Sequence, residues 1–277
     1  MSPNPAAPES VDLEVVPWSE LGPTFIEQWG MSRGKRQAEH IEITGQNGSG
    51  KSYVECAILQ ARAQVRGTSE IVLVNKATDD SIPLLGWPIV DTWEGVCDYR
   101  WSIFWPRTDA VGEERARYQE ARFYELLSRL WEPEANTVVA VDEMLTVEEL
   151  SPRLKKLIQM YWREARANGI PMIAQAQRPI GTSRHQHSET VWKIVFPPAD
   201  EDDLTRFAQL LGSPKVWGPV LKELDQGRHE FIIRNSVTKE AFVSWVDYEL
   251  RPVPAQRDQK ARREASPYDK KGRKRGL

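Results

Sequence analysis

The sequence predicts an α/β fold: a mostly parallel central sheet flanked by helices, with a terminal β-hairpin and disordered tails. Three observations predict it. The glycine-rich octet Gly45-Gln-Asn-Gly-Ser-Gly-Lys-Ser52 stands between a β-branched run and a helical pattern. A second apolar run, Asn136-Thr-Val-Val-Ala-Val141, ends in Asp142-Glu143. Further short apolar runs alternate with amphipathic segments, the order that builds a parallel sheet with helices on its faces.

The octet is a complete P-loop pattern, G-x-x-x-x-G-K-[ST], in the strand–turn–helix context that the pattern needs. Ile41 and Ile43 mark the strand, and Val54, Ala57, Ile58, Ala61 and Val65 the helix. Gly45, Gly48 and Gly50 let the backbone turn successive N–H groups inward around an anion, and the helix dipole points to the same place. Residues Gly45, Gln46, Asn47, Gly48, Ser49, Gly50, Lys51, Ser52 and Tyr53 are therefore the expected ATP contacts. Lys51 reaches the β- and γ-phosphates, and the Ser52 hydroxyl is placed to ligate Mg²⁺.

A chain of 277 residues holds one large α/β domain with tails, or two modest ones. With 40% hydrophobic and 28% charged residues the composition is that of a soluble globular protein. A net charge of −3 confines any nucleic-acid surface to a local patch. No apolar run has the length of a membrane span, and the N-terminus lacks a basic-then-apolar signal pattern, which points to the cytoplasm. Cys56 and Cys97 offer neither a disulfide framework nor metal-ligand spacing. The eleven tryptophans are scattered singly, which suits core or interface packing.

Residues 1–16, rich in Pro, Ala and Glu, read as a disordered tail ahead of an ATPase domain spanning 17–250. Trp18, Phe25 and Trp29 precede the basic cluster Arg33, Lys35, Arg36. That segment either flanks the nucleotide base or packs as an arm on the sheet. Glu70–Asn75 is a buried-type strand, and 78–98, broken by Pro83, Gly86, Pro88 and Gly95, is loop with a short element. Arg100–Trp105 is a further strand. Between Gly112 and Trp131, Phe123, Leu126, Leu127 and Leu130 share one helical face, while the mixed Arg and Glu residues make the other a solvated face.

Asp142 and Glu143 follow an apolar strand about ninety residues after Lys51, a common spacing for P-loop proteins. Ligands of open α/β sheets bind at such strand ends. Asp142 would hold Mg²⁺ opposite Ser52, directly or through water, and Glu143 would polarise the attacking water.

Ser151-Pro152 opens a helix as cap and first residue, and Asn168-Gly169 ends it. The strand Ile170–Gln177 follows. Gln177 is placed either to touch the γ-phosphate or lytic water, or to be satisfied by backbone. The 181–190 stretch reads as a polar loop. Its His185-x-His187 pair has metal-ligand character but no third ligand nearby. Then come a strand (191–196), a helix (200–211) and two paired strands near 230–233 and 241–245. Residues 251–277 form a basic tail that would follow a phosphate backbone electrostatically, or else serve solubility or dock on an acidic partner.

Three of these stretches together resemble the FtsK/HerA class of P-loop ATPases: Gly45–Ser52, Val138–Glu143, and Arg163-Glu-Ala-Arg-Ala-Asn-Gly-Ile-Pro-Met-Ile-Ala-Gln-Ala-Gln-Arg-Pro179. The resemblance spans roughly residues 38–246 and implies a RecA-like core that assembles as a ring, hexamer or pentamer, and moves DNA through its centre. By the same resemblance Gln177 matches the sensor glutamine. Arg166, with Arg163 second, matches an arginine finger acting on a neighbour's ATP. A short chain with no membrane segment, winged-helix-like module or HerA-type barrel visible in its sequence is most similar to viral genome-packaging and plasmid-transfer ATPases.

The expected activity is thus ATP-driven translocation of double-stranded DNA without sequence reading, with a portal or transfer-complex protein as a further partner. The alternatives are a membrane-export or phage-assembly P-loop ATPase, and a slow nucleotide-dependent switch acting through a protein partner. No Ser-Gly-Gly signature precedes the acidic pair, as an ABC ATPase would require, and no nuclease-like acid set follows Phe196.

Overall fold

Strands and helices alternate along the chain. They are β1 (Glu14–Val15), α1 (Trp18–Gly30), β2 (His40–Thr44), α2 (Lys51–Ala63), β3 (Ser69–Leu73), β4 (Ile89–Val90), α3 (Trp93–Asp98), β5 (Trp101–Phe104), α4 (Gly112–Leu130), β6 (Thr137–Val141), α5 (Met144–Glu149), α6 (Pro152–Glu164), β7 (Met172–Ala176), α7 (Arg184–Glu189), β8 (Thr190–Val195), α8 (Glu201–Leu210), α9 (Pro214–Glu223), β9 (Phe231–Asn235) and β10 (Ala241–Ser244). This computed structural model describes residues 13–30, 39–65, 67–79, 81–177, 184–198 and 200–253.

The strands form one ten-stranded sheet in the order β1-β10-β9-β8-β2-β7-β6-β3-β5-β4. From β8 to β4 every pairing is parallel; β9 runs antiparallel to β8 and to β10. The expected fold class, with its terminal hairpin, is the one observed. The period of two is plain in β6: Val138 and Ala140 join the layer under α1 and α2, and Val139 and Val141 the layer under α4 and α6. Covered on both faces, the parallel strands read as continuous apolar runs. Phe123, Leu126, Leu127 and Leu130 of α4 are buried, and cutting one such core phenylalanine to alanine costs about 3–5 kcal/mol. Ser151 Oγ accepts from Leu154 N at 3.2 Å, the cap that starts α6 before Pro152.

Several expectations need correction. Residues 14–16 do not belong to a disordered tail: Glu14–Val15 pairs parallel with β10, and Val16 N donates to Val243 O at 2.9 Å. Both side chains of that strand are exposed, while its neighbours Leu13 and Val16 pack against the core. Residues 1–12 and 31–38, with Arg33, Lys35 and Arg36, lie outside the described residues, as does 254–277, most of the basic tail. The aromatic arm is helix α1, and Trp18, Phe25 and Trp29 are buried on the sheet. The 78–98 stretch holds a 3-10 turn (Ile82–Leu85), β4 and α3, the last capped by Thr92. Helices α5 and α9 were not anticipated.

The 184–189 part of the polar loop is helix α7, and His187 is not a solvated residue. Its Nδ1 lies 3.0 Å from Glu42 Oε2, with Lys193 Nζ 3.3 Å from the same oxygen. A charged group inside the sheet demands such partners, and they draw the helix down onto β2. Among the described residues no cluster of three or more His, Cys, Asp or Glu is arranged to hold a metal, so the His185-x-His187 pair stays without a third ligand.

Candidate active site

Strand order decides what meets at the mouth of the sheet. β7 lies between β2 and β6, so Gln177, the residue just past its end, emerges between the glycine-rich loop after β2 and Asp142-Glu143 after β6. All three strands are parallel, and their C-terminal ends open on a single cleft of about 1130 Å³. Asn47, Gly48, Gly50, Lys51, Ser52 and Tyr53 line it, facing Asp142, Glu143 and Gln177.

The loop conformation depends on its glycines. A Cβ on Gly45 would stand 2.7 Å from Ser49 Oγ and 2.8 Å from Phe196 Cβ, and Gly50 has φ +100°. Lys51, at the first turn of α2, donates to the Gln46 carbonyl at 2.7 Å, which holds its ammonium within the loop. Burial lowers this ammonium to about 8, with the Glu143 carboxylate opposing the shift.

Asp142 is 2% exposed, its Oδ1 accepts no hydrogen bond, and its Oδ2 sits 2.6 Å from Lys76 Nζ. Burial raises its carboxyl; Lys76 works against that shift. Lys76 also reaches Asp79 at 3.4 Å, and Asp79 is held by Ser81 and by the N–H of Ile82. A buried carboxylate and a serine hydroxyl lining one cleft fit Mg²⁺, which takes one or two protein oxygens and completes its shell with phosphate and water. Ser52 and Asp142 are the residues that would hold it.

Glu143 is half-buried, and burial raises its carboxyl above the usual range. Gln177 Nε2 donates to Glu143 Oε2 at 2.9 Å. The amide of Gln177 thus turns to the Glu143 carboxylate. Arg166 stands elsewhere: it is exposed, in the 3-10 turn Ala165–Asn168 that enters β7, whereas the cleft is at the exit. The strand alone separates the two ends by about 16 Å.

Sequence reasoning missed part of the site. Lys76 follows β3, at the same strand-end level that singled out Asp142, and that rule would have found it. Gln175 lines the same cleft as Gln177, two residues away. Its burial in the middle of an apolar strand was the available signal. Tyr53 lines the cleft, and its hydroxyl ties two parts of the chain together. It donates to Tyr248 O at 3.0 Å and accepts from Leu250 N at 2.8 Å, binding the segment after β10 to α2. That segment, with Trp245 and Tyr248, forms a wall of the cleft that no local pattern announced. Arg228 stacks on Trp245 at 3.9 Å, and His229, with φ +55°, places Nδ1 3.2 Å from the Ser49 carbonyl.

A glycine-rich loop on a central parallel strand, its lysine, and an acid pair two strands away make up the fold of P-loop NTPases. No family model matches the chain, and no curated protein does. Solved structures do. The genome packaging NTPase B204 from Sulfolobus turreted icosahedral virus 2, in complex with sulfate, is similar with a TM-score of 0.55 at 15% identity. The match covers 77% of this chain and 99% of that one. The cytoplasmic domain of the Thermomonospora curvata Type VII secretion ATPase EccC is similar with a TM-score of 0.55 at 17% identity, over 87% of this chain and 29% of that one. The pCW3 conjugation coupling protein TcpA gives 0.50 at 17%, over 76% and 61%. The fold expected from the FtsK/HerA resemblance is therefore the fold these solved ATPases share with the chain. None of the helices among the described residues is long and apolar enough to cross a membrane.

Proposed function

We propose that the chain is an ATP-hydrolysing motor of the FtsK/HerA type that moves double-stranded DNA as a ring, in viral genome packaging or plasmid DNA transfer. The observation that carries hydrolysis is the Gln177–Glu143 bond at the mouth of the glycine loop. An amide tied to a carboxylate there can orient a water that the carboxylate activates, which a kinase transferring phosphate to an acceptor does not need. Support for DNA as the polymer is the likeness to a genome packaging NTPase matched over 99% of its length.

In this reading the loop N–H groups and Lys51 bind and orient the triphosphate, and Ser52 and Asp142 hold the metal. Mg²⁺, when bound, would supply positive charge against the charge that develops on the transferred phosphate. Glu143 takes the proton of the attacking water, and Gln177 keeps that carboxylate and the water in register. Arg166, at the opposite end of the strands from the cleft, would act only on the ATP of a neighbouring copy, so the active form is a ring. Trp245 and Tyr248 would flank the base. The basic residues from Arg251 onward would grip the phosphate backbone, with a portal or transfer-complex protein at the ring face, in the host cytoplasm if the source is viral.

A second reading, ATP-driven protein export, draws support from the EccC likeness over 87% of this chain. Steady-state ATPase with and without linear double-stranded DNA, at low and moderate salt, separates them. Stimulation that fades with salt supports a DNA motor; a rate indifferent to DNA removes that reading and leaves export or a partner-driven switch.

A further inference from the structure

Gln175 of β7 and Gln177, the residue just past its end, both line the cleft. Gln177 meets Glu143. Gln175, 1% exposed, meets the other half of the site: its Nε2 donates to Glu55 Oε2 at 2.8 Å, and Ser52 Oγ donates to its Oε1 at 3.3 Å. Glu55 is fully buried on α2, one turn beyond Ser52. These contacts tie residues 120 and 123 positions apart in sequence.

The chemistry of the amide sets the direction of the chain of bonds. Gln175 donates its NH₂ end to Glu55, which leaves only the carbonyl end for Ser52. Ser52 must then donate its single proton to Gln175, and both its lone pairs remain for the cleft. Were the amide reversed, its NH₂ would occupy one of those lone pairs. Burial pushes the Glu55 carboxyl up to about 8, so at neutral pH the acid is uncharged and accepts through its carbonyl oxygen.

We propose that Gln175, oriented by Glu55, is a positioning residue for the metal site: it fixes the Ser52 hydroxyl as a donor into the protein so that its oxygen faces the cation. The inference rests on the reading of Ser52 and Asp142 as the Mg²⁺ ligands of an ATP site. Outer partners of this kind change metal affinity or activity about 10–100-fold when removed.

The test is calorimetric binding of the non-hydrolysable analogue AMPPCP in EDTA and across a Mg²⁺ titration, for the full chain and for Gln175→Met. The methionine keeps the volume and removes both polar atoms. Expected is a Mg²⁺ half-saturation raised about tenfold or more, with affinity in EDTA unchanged. A role in packing alone would instead lower the melting temperature and weaken binding in EDTA equally. An unchanged Mg²⁺ half-saturation in folded Gln175→Met overturns the proposal while the ATP-site reading stands. Parent protein that binds AMPPCP no better with Mg²⁺ than without overturns the ligand reading first. Should Gln175→Met fail to fold, Glu55→Met decides by the same titration, with Glu55→Gln, whose amide oxygen still accepts, expected to keep the parent's half-saturation.

Discussion

Gln177 Nε2 and Glu143 Oε2 lie 2.9 Å apart, joined across the ends of two adjacent parallel strands. The amide thereby places the carboxylate over the cleft that the glycine loop opens on. Removing the carboxylate's basicity without its shape should stop turnover and spare binding. Glu143→Gln is expected to lose about 10²–10⁴-fold in kcat and to retain ATP affinity; equal steady-state rates for variant and parent would sink the base assignment. Gln177→Ala should fall between the two.

Lys51 is the cation held inside the loop, so its loss acts on binding itself. Lys51→Ala is expected to abolish tight ATP binding, read by calorimetry, in contrast to Glu143→Gln. Retention of parent affinity would show that the loop N–H groups suffice.

Arg166 cannot reach the cleft of its own chain, being at the entry of β7. Arg166→Ala should therefore lose ATPase activity only in assembled particles. Mixing it with Glu143→Gln chains should restore part of the rate, because some interfaces regain both groups. Mixed assemblies as inactive as either parent variant would leave Arg166 without that role.

His40 makes a prediction about pH. Its Nδ1 accepts from Met172 N at 2.9 Å, so the proton is on Nε2, which faces Trp162 O at 3.0 Å. Burial, with Arg166 adding its charge, lowers the imidazole from 6.5 to about 4. The folded state thus holds fewer protons here than the unfolded state. The stability is present above pH 6.5 and is lost as pH falls through 6.5 towards 4. It amounts to roughly 3 kcal/mol at 1.36 kcal/mol per pH unit. Denaturant unfolding of His40→Gln should show a shallower loss between pH 6.5 and 4 than the parent; parallel curves would assign the acid sensitivity elsewhere.

Much of the molecule was legible in its contiguous residues. The octet 45–52, the apolar strands ending at Asp142 and Gln177, and the stripe of α4 each carry their signal within one element, because side-chain period and glycine spacing are local properties. Where no side chain is buried, as in β1, nothing local was there to read. Helix α7 was hidden for the opposite reason: its polar residues look solvated until Glu42 of β2 is beside them.

By itself the sequence determined the sheet-and-helix fold class, the anion loop and the two acids that end β6. Only the tertiary structure decided which strands are neighbours, and with them the pairs Lys76–Asp142, Gln177–Glu143 and Gln175–Glu55, the Tyr53 tie to the segment after β10, and the exclusion of Arg166 from its own cleft. The reason is physical. A hydrogen bond between strand ends depends on strand order, and strand order is settled by burying both faces of the sheet at once, a condition no single stretch of sequence contains.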